Sequence, residues 1–263
     1  MSGFCGAGAK FVPSRAAAIA PIDPVAPALA AIVAGFSSAP AAPRQAAMGN
    51  LISALMSAGI WAVCDRLYVF RNSEDQGSRI NWRAPGTGNA SKNGSPAFTV
   101  DVGFINTSGN DVATGFIPTT HGVFFTRNSN SFVVSTSVDA NDVASAALAG
   151  NTQFSVNPRS SGGIVQTRNA NSGVDSGSAN TGAGLYGVCR FQGADYIPYK
   201  GATALTTITR ASSALAAAEV FLGSSARASF STKPCGLLFM GGYLDATAMA
   251  AFNTAWNAYV AAL

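Results

Sequence analysis

The 263-residue sequence predicts a mainly β protein: an antiparallel two-sheet sandwich with an extended N-terminal arm, short N-terminal helices and a C-terminal helix. Three observations carry this reading. After Trp61 the chain breaks into short apolar and β-branched runs separated by Gly, Asn, Ser and Pro, at a spacing of roughly 8 to 20 residues, as in an all-β sandwich or barrel. No segment between those runs is suited to the helical crossover that a parallel sheet needs. Helical periodicity is confined to the two ends of the chain.

Residues 1–20 show neither period, and Pro13, Pro21, Pro24 and Pro27 favour extended backbone through and beyond them, so this stretch reads as an arm. Residues 21–60 read as a helical attachment segment. In it Val25, Leu29, Ile32, Val33 and Phe36 recur at helical spacing, and a Ser, Ala and Pro-rich joint at 37–43 precedes a second helix. That helix has Pro43 in its first turn, Gly59 as a left-handed cap, and an apolar stripe of Met48, Leu51, Ile52, Leu55 and Met56. Residues 61–263 form the sandwich, with strands expected at 66–71, 98–102, 123–127, 132–137, 152–156, 163–167, 185–192, 195–199, 204–210, 219–223 and 235–241. A helix over 245–263 closes it: Asp245 is a natural N-cap, and Met249, Phe252, Trp256, Tyr259 and Leu263 share one face. So short a stripe packs on its own domain rather than in a coiled coil.

Charged residues make up 11% of the chain, against about 25% in an ordinary soluble domain. A surface this poor in charge favours association, which points to a subunit of a larger body. A net charge of +4 does not make a nucleic-acid groove, and the Ala-rich stretch 16–36 is broken by Pro21, Asp23, Pro24 and Pro27, so it is no membrane span. Residues 1–10 lack the basic and apolar regions of a secretory signal. Cys5, Cys64, Cys189 and Cys235 lie far apart, with His121 the only histidine, so they read as free thilos of a reducing cytosol rather than a zinc site.

Catalytic chemistry is thinly supplied. A glycosidase needs two carboxyl groups about 5 to 10 Å apart, yet neither Glu74 nor Glu219 has an acidic residue two or four positions away. Folding can still bring Glu219 near an aspartate. A serine or cysteine nucleophile would depend on His121, in a turn-like segment at 118–122, and no G-x-S-x-G is present. Gly182, Gly184 and Gly187 match G-x-G-x-x-G, but a strand rather than a helix follows them. Asp139-Ala140-Asn141-Asp142 resembles a fragment of a calcium loop without its glycine or distal glutamate. The expectation is therefore a protein that is not an enzyme and uses no cofactor. Trp61, Trp82 and Trp256 are expected in the core. Tyr186, Arg190, Phe191, Tyr196, Tyr199 and Lys200 form the densest aromatic and basic cluster, and are the candidate glycan contacts, because sugar sites combine aromatic faces with a few polar groups.

Three stretches carry a resemblance. The first is Pro43 to Met48, Leu51 to Leu55, Gly59-Ile60-Trp61 and Asp65 to Phe70; the second is Ile80 to Thr87, Ser95 to Phe104 and Thr114 to Pro118; the third is Phe230-Ser231-Thr232-Lys233, a glycine-rich strand and the terminal helix. In this order they resemble phage and prophage virion proteins with a concanavalin A-like, laminin-G-like jelly-roll domain, over residues 21–263. The resemblance implies two antiparallel sheets with the helices closing one end. It also implies a place in the virion, after synthesis in the host cytoplasm, as a capsid decoration or head-fibre component that contacts host surface polysaccharide. The alternative is a tail-fibre receptor-binding lectin module, and behind it a glycan depolymerase. The expected partners are other virion proteins, capsid or fibre, held through residues 1–20, further copies of the chain with a trimer favoured, and a bacterial surface glycan. Neither nucleic acid nor membrane is expected as a partner.

Overall fold

Residues 237–240 read Leu-Leu-Phe-Met, with no polar residue alternating among them, because the strand they form is covered on both faces. A computed structural model describes residues 24–142, 147–179, 182–225, 227 and 230–263; the expected arm at 1–20 lies outside the described residues. The helices are α1 Val25–Ala34, α2 Ala42–Ser57, the short α3 Asp75–Ser78 and α4 Pro118–His121, and α5 Ala246–Ala261. The strands are β1 Cys64–Val69, β2 Ser91–Asn93, β3 Ala97–Thr99, β4 Gly103–Ile105, β5 Asp111–Ala113, β6 Asn130–Thr136, β7 Ala149–Gly150 and β8 Ser155–Asn157. They continue as β9 Ile164–Arg168, β10 Asp175–Ala179, β11 Gly184–Arg190, β12 Asp195–Lys200, β13 Thr203–Ala204, β14 Ile208–Thr209, β15 Phe221–Leu222 and β16 Leu237–Gly241.

One antiparallel sheet runs β1-β16-β6-β11-β12-β13, with β14 also on β12; the second runs β10-β9-β8-β7-β15-β5-β2, and β3 pairs with β4. The expected mainly β, antiparallel sandwich is what forms. Strand alternation in the first sheet feeds two cores. Phe132, Val134, Tyr186, Val188, Leu238 and Met240 face the second sheet, where they meet Val112, Phe154, Val156 and Leu222. Leu67, Val69, Val133, Leu185, Leu237 and Phe239 face the other way, into α1, α2 and α5. The helices therefore cover a face of the sandwich rather than close one end, which corrects the expectation drawn from the resemblance. The physical reason is the length of their apolar stripes. Met48, Leu51, Ile52 and Leu55 on α2, and Met249, Phe252, Trp256 and Tyr259 on α5, are buried over several turns and need a sheet face of matching length.

The local signals act as their chemistry requires. Gly59 follows α2 at φ +72°, the left-handed geometry that glycine adopts without strain. The Asp245 side chain accepts a hydrogen bond from the Ala248 N–H at 2.8 Å and so caps α5. A Cβ on Gly187 would come within 2.9 Å of Met249 Cε, so this glycine lets α5 lie on the first sheet. The strand expected at 123–127 does not form. Its backbone is bound elsewhere: buried Asp65 accepts from the N–H groups of Val123, Phe124 and Phe125 at 2.7–3.2 Å, which folds the segment into a loop.

Candidate functional site

The β11–β12 hairpin carries all six expected glycan-contact residues, and its register pairs Tyr186 with Lys200 and Arg190 with Tyr196. Four of the six are buried, which corrects the expectation of a ligand-facing cluster. The Tyr186 hydroxyl donates to the Gly182 carbonyl at 2.7 Å. Tyr199 packs into the helix-facing core. Tyr196 donates to Asp175 Oδ2 at 2.7 Å and lies 3.0 Å from Thr167 Oγ1, so it ties the two sheets together. Arg190 donates from Nε and Nη2 to Asn169 and from Nη1 to the carbonyls of Gln192, Gly193 and Arg210, with its guanidinium 5.2 Å from the Tyr196 ring centroid. Burial lowers the Arg190 pKa, but the carbonyl cage satisfies the donors that burial removes from water. Both faces of the first sheet are occupied, so strand alternation does not turn these side chains outward.

The remaining two, Phe191 and Lys200, sit at opposite ends of the hairpin. At the Phe191 end the loops after β11, after β16 and before β6 converge. Phe191 is 39% exposed, and its ring centroid lies 5.8 Å from that of Tyr243, a residue the sequence did not single out. Phe124, 38% exposed, and Val123, 74% exposed, stand beside them, since a Cβ on Gly242 would lie 3.4 Å from Phe124 Cβ. Next to this strip is an open groove of about 420 Å³ lined by residues that include Gly59, Val63, Tyr243 and Asp245. Asn128, Gln192 and Asp245 are exposed at the same end. Sequence reasoning placed Val123 and Phe124 in a strand and missed them as surface residues. The available signal was Asp65, a lone acid at the start of a buried strand.

At the Lys200 end lies a different groove. Lys200, Thr203, Asn253 and Asn257 line it, with Ala183, Gly184 and Gly201 below. The asparagines were legible only as two amides one turn apart on α5.

The residues considered for catalysis are engaged in holding the fold. Glu219 accepts from the Gly115 N–H at 2.6 Å, and Glu74 accepts from the Ser37 N–H at 2.8 Å and hydroxyl at 2.6 Å. His121 Nδ1 accepts from the Ile117 N–H at 3.0 Å. Asp139 pairs with Arg159 at 2.6 Å. Asp142 is buried and accepts from Ser231, Thr232 and Lys233, the last at 2.9 Å, so three of the four residues of the Phe230 to Lys233 stretch converge on one carboxylate. Burial acts to raise the Asp142 pKa, but these hydrogen bonds outweigh it and hold the carboxyl below the usual range. Burial pushes the Cys189 and Cys235 thiols up to about 12. Among the described residues no three His, Cys, Asp or Glu side chains cluster to hold a metal, and no helix is long and apolar enough to cross a membrane.

No protein-family model and no curated protein sequence matches the chain. Solved structures do. Trypanosoma rangeli sialidase in complex with the inhibitor DANA matches at TM-score 0.52 and 9% identity, over 78% of this chain and 38% of that one. A mutant of the same sialidase displaying trans-sialidase activity matches at TM-score 0.51 and 8% identity, over 81% and 39%. Domain 4 of AbnA, a GH43 extracellular arabinanase from Geobacillus stearothermophilus, in complex with arabinotriose, matches at TM-score 0.49 and 11% identity, over 73% of this chain and 98% of that domain. At these identities the likeness to the sialidases defines the class of fold alone, an antiparallel β-sandwich, and this chain spans well under half of their length. The expectation that the chain is not an enzyme is overturned as an exclusion. The same sandwich is found within sialidase chains, so the fold does not separate hydrolases from other proteins.

Proposed function

We propose that this chain is a bacteriophage virion subunit, a capsid decoration or head-fibre component, whose Phe191 end contacts bacterial surface polysaccharide. In this reading residues 1–20 hold it to capsid or fibre proteins, and copies assemble as a homo-oligomer in the virion. The ordered resemblance of residues 21–263 to virion jelly-roll proteins supports the placement, and a surface of 11% charged residues suits a subunit.

The observation that carries glycan contact is the aromatic strip formed by exposed Phe124 and Phe191 with half-buried Tyr243. Flat rings that remain in water at a loop-built end can stack on the apolar faces of sugars, while Asn128, Gln192 and Asp245 offer hydrogen bonds at the rim. In a folded monomer such rings are usually drawn inward.

The test uses particles carrying the triple variant F124A/F191A/Y243A. Adsorption to host cells should fall while particle assembly is unchanged, whereas normal adsorption overturns the glycan reading. Deleting residues 1–20 should abolish incorporation of the chain, and full incorporation overturns the attachment reading. Release of reducing sugar ends from host polysaccharide is measured in parallel to establish whether contact leads to cleavage.

A further inference from the structure

We infer that the groove beside the Phe191 end is the selective part of the sugar site, and that the unit it takes is an N-acetylated amino sugar. The inference rests on the glycan reading above and names the sugar class that the aromatic strip alone does not choose. The groove runs between the end of α2 and the first turns of α5, and its volume of about 420 Å³ falls within the range of about 300–1,000 Å³ seen for small-molecule sites. It is continuous with the strip. Tyr243 belongs to both, and a Cβ on Gly242 would lie 3.3 Å from Val63 Cβ in the groove wall and 3.4 Å from Phe124 Cβ in the strip. A sugar ring stacked on the strip therefore brings a substituent to the edge of the groove. The mouth is open at Gly59, where an added Cβ would meet nothing within 4 Å.

Two features of the lining choose the substituent. Ala58, Val63, Ala248 and Ala251 are each half-buried, so their methyl groups keep apolar surface in water that a small apolar group can cover. Asp245 is the one charged residue of the lining. Its Oδ1 accepts from the Ala248 N–H at 2.8 Å, while its Oδ2 has no partner among the described residues. A carboxylate only accepts, so the complementary ligand brings a hydrogen-bond donor beside a small apolar group and carries no negative charge. An acetamido group has this form: its N–H can donate to Oδ2, and its methyl, two bonds away from the nitrogen, can cover the alanines. Related sugars fail on one count each. A uronate is repelled by Asp245, a free amino sugar has no apolar group for the groove, and a 6-deoxy sugar has a methyl with no donor of this kind beside it.

The experiment titrates the full-length chain, isotope-labelled at its alanine methyl groups, with N-acetyl-D-glucosamine, N-acetyl-D-galactosamine, D-glucosamine, D-glucose and D-galactose. At least one acetamido sugar should shift the Ala248 and Ala251 signals and bind at least about tenfold more tightly than its parent hexose and than D-glucosamine. Saturation transfer from protein to that sugar should be strongest at the acetyl methyl. D245N, in which asparagine still caps α5 but presents a donor in place of Oδ2, should bring the preference to within about twofold at an unchanged melting temperature. A251L, which fills the groove, should abolish the Ala248 shift. Equal affinity for acetamido sugars and their parent hexoses, unshifted Ala248 and Ala251 signals, or an unaltered preference in D245N overturns the inference. Binding of D-glucosamine as tight as that of the acetamido sugars overturns the acetyl assignment. If host polysaccharide binds and is lost in F124A/F191A/Y243A while no acetamido sugar is preferred, this inference fails and the proposed function stands. If an acetamido sugar is preferred but host polysaccharide does not bind, the inference stands and the host contact fails. If no saccharide binds at all, both fail.

Discussion

The two ends of the β11–β12 hairpin share strands and differ in chemistry. At one end Phe191, Tyr243 and Phe124 keep aromatic surface in water; at the other Lys200, Asn253 and Asn257 surround a polar hollow. On the same two strands Tyr186, Arg190, Tyr196 and Tyr199 are sealed inside the molecule. The same residue types thus have opposite roles over a few positions, and what decides is whether a second layer covers that face of the sheet. The sealed middle is a layer and not a length of strand: Tyr186 lies cross-strand from Lys200 and Arg190 precedes Phe191, yet Tyr186 and Arg190 are buried while Lys200 is half-buried and Phe191 exposed.

This division can be broken first at its middle. Arg190→Met should cost about 3–5 kcal/mol, because it leaves the carbonyls of Gln192, Gly193 and Arg210 and the oxygens of Asn169 buried without a donor. Chemical denaturation measures it, and a loss within about 0.5 kcal/mol would show that the cage is not structural. Next is Asp142, whose carboxylate clasps Ser231, Thr232 and Lys233. Asp142→Ala should cost about 3 kcal/mol, since it leaves the Lys233 ammonium buried and unpaired.

The same clasp sets a pH dependence. The folded-state pKa of Asp142 is depressed, so its contribution is present above the ordinary aspartate value of 3.8 and is lost as pH falls through the lower folded value. Denaturation midpoints should decline below about pH 4, and that decline should be smaller in Asp142→Asn. At the ends the effects on stability should be smallest. F191A and K200M should each stay within about 0.5 kcal/mol of the parent in denaturation, because neither side chain is fully buried.

Much of the fold was legible because it is written in local chemistry. The continuous apolar run Leu237 to Met240 marks a strand buried on both faces, and the stripe from Met249 to Tyr259 with Asp245 before it marks a capped helix. The second sheet was harder to read. β2, β5 and β10 are short, and β10 reads Asp-Ser-Gly-Ser-Ala, so its strand character comes from pairing with β9 and not from its own composition. The candidate site was the least legible part. Residues 123–127 have strand composition, but Asp65, distant in sequence, captures their backbone and turns Phe124 to the surface. Likewise Tyr186, Tyr196 and Tyr199 look like ligand contacts until the helices and the second sheet are placed over them. Composition identifies a residue capable of contact; only the layer above it decides whether contact occurs.

The central claim is that sugar contact resides in the aromatic end rather than in the sealed middle. Its most direct test is equilibrium binding of the purified chain to isolated host surface polysaccharide, comparing the parent with F124A/F191A/Y243A at matched folding. The account predicts measurable binding by the parent and at least about a tenfold loss in the variant. Equal affinity in the two proteins, or no binding by the parent, would contradict it.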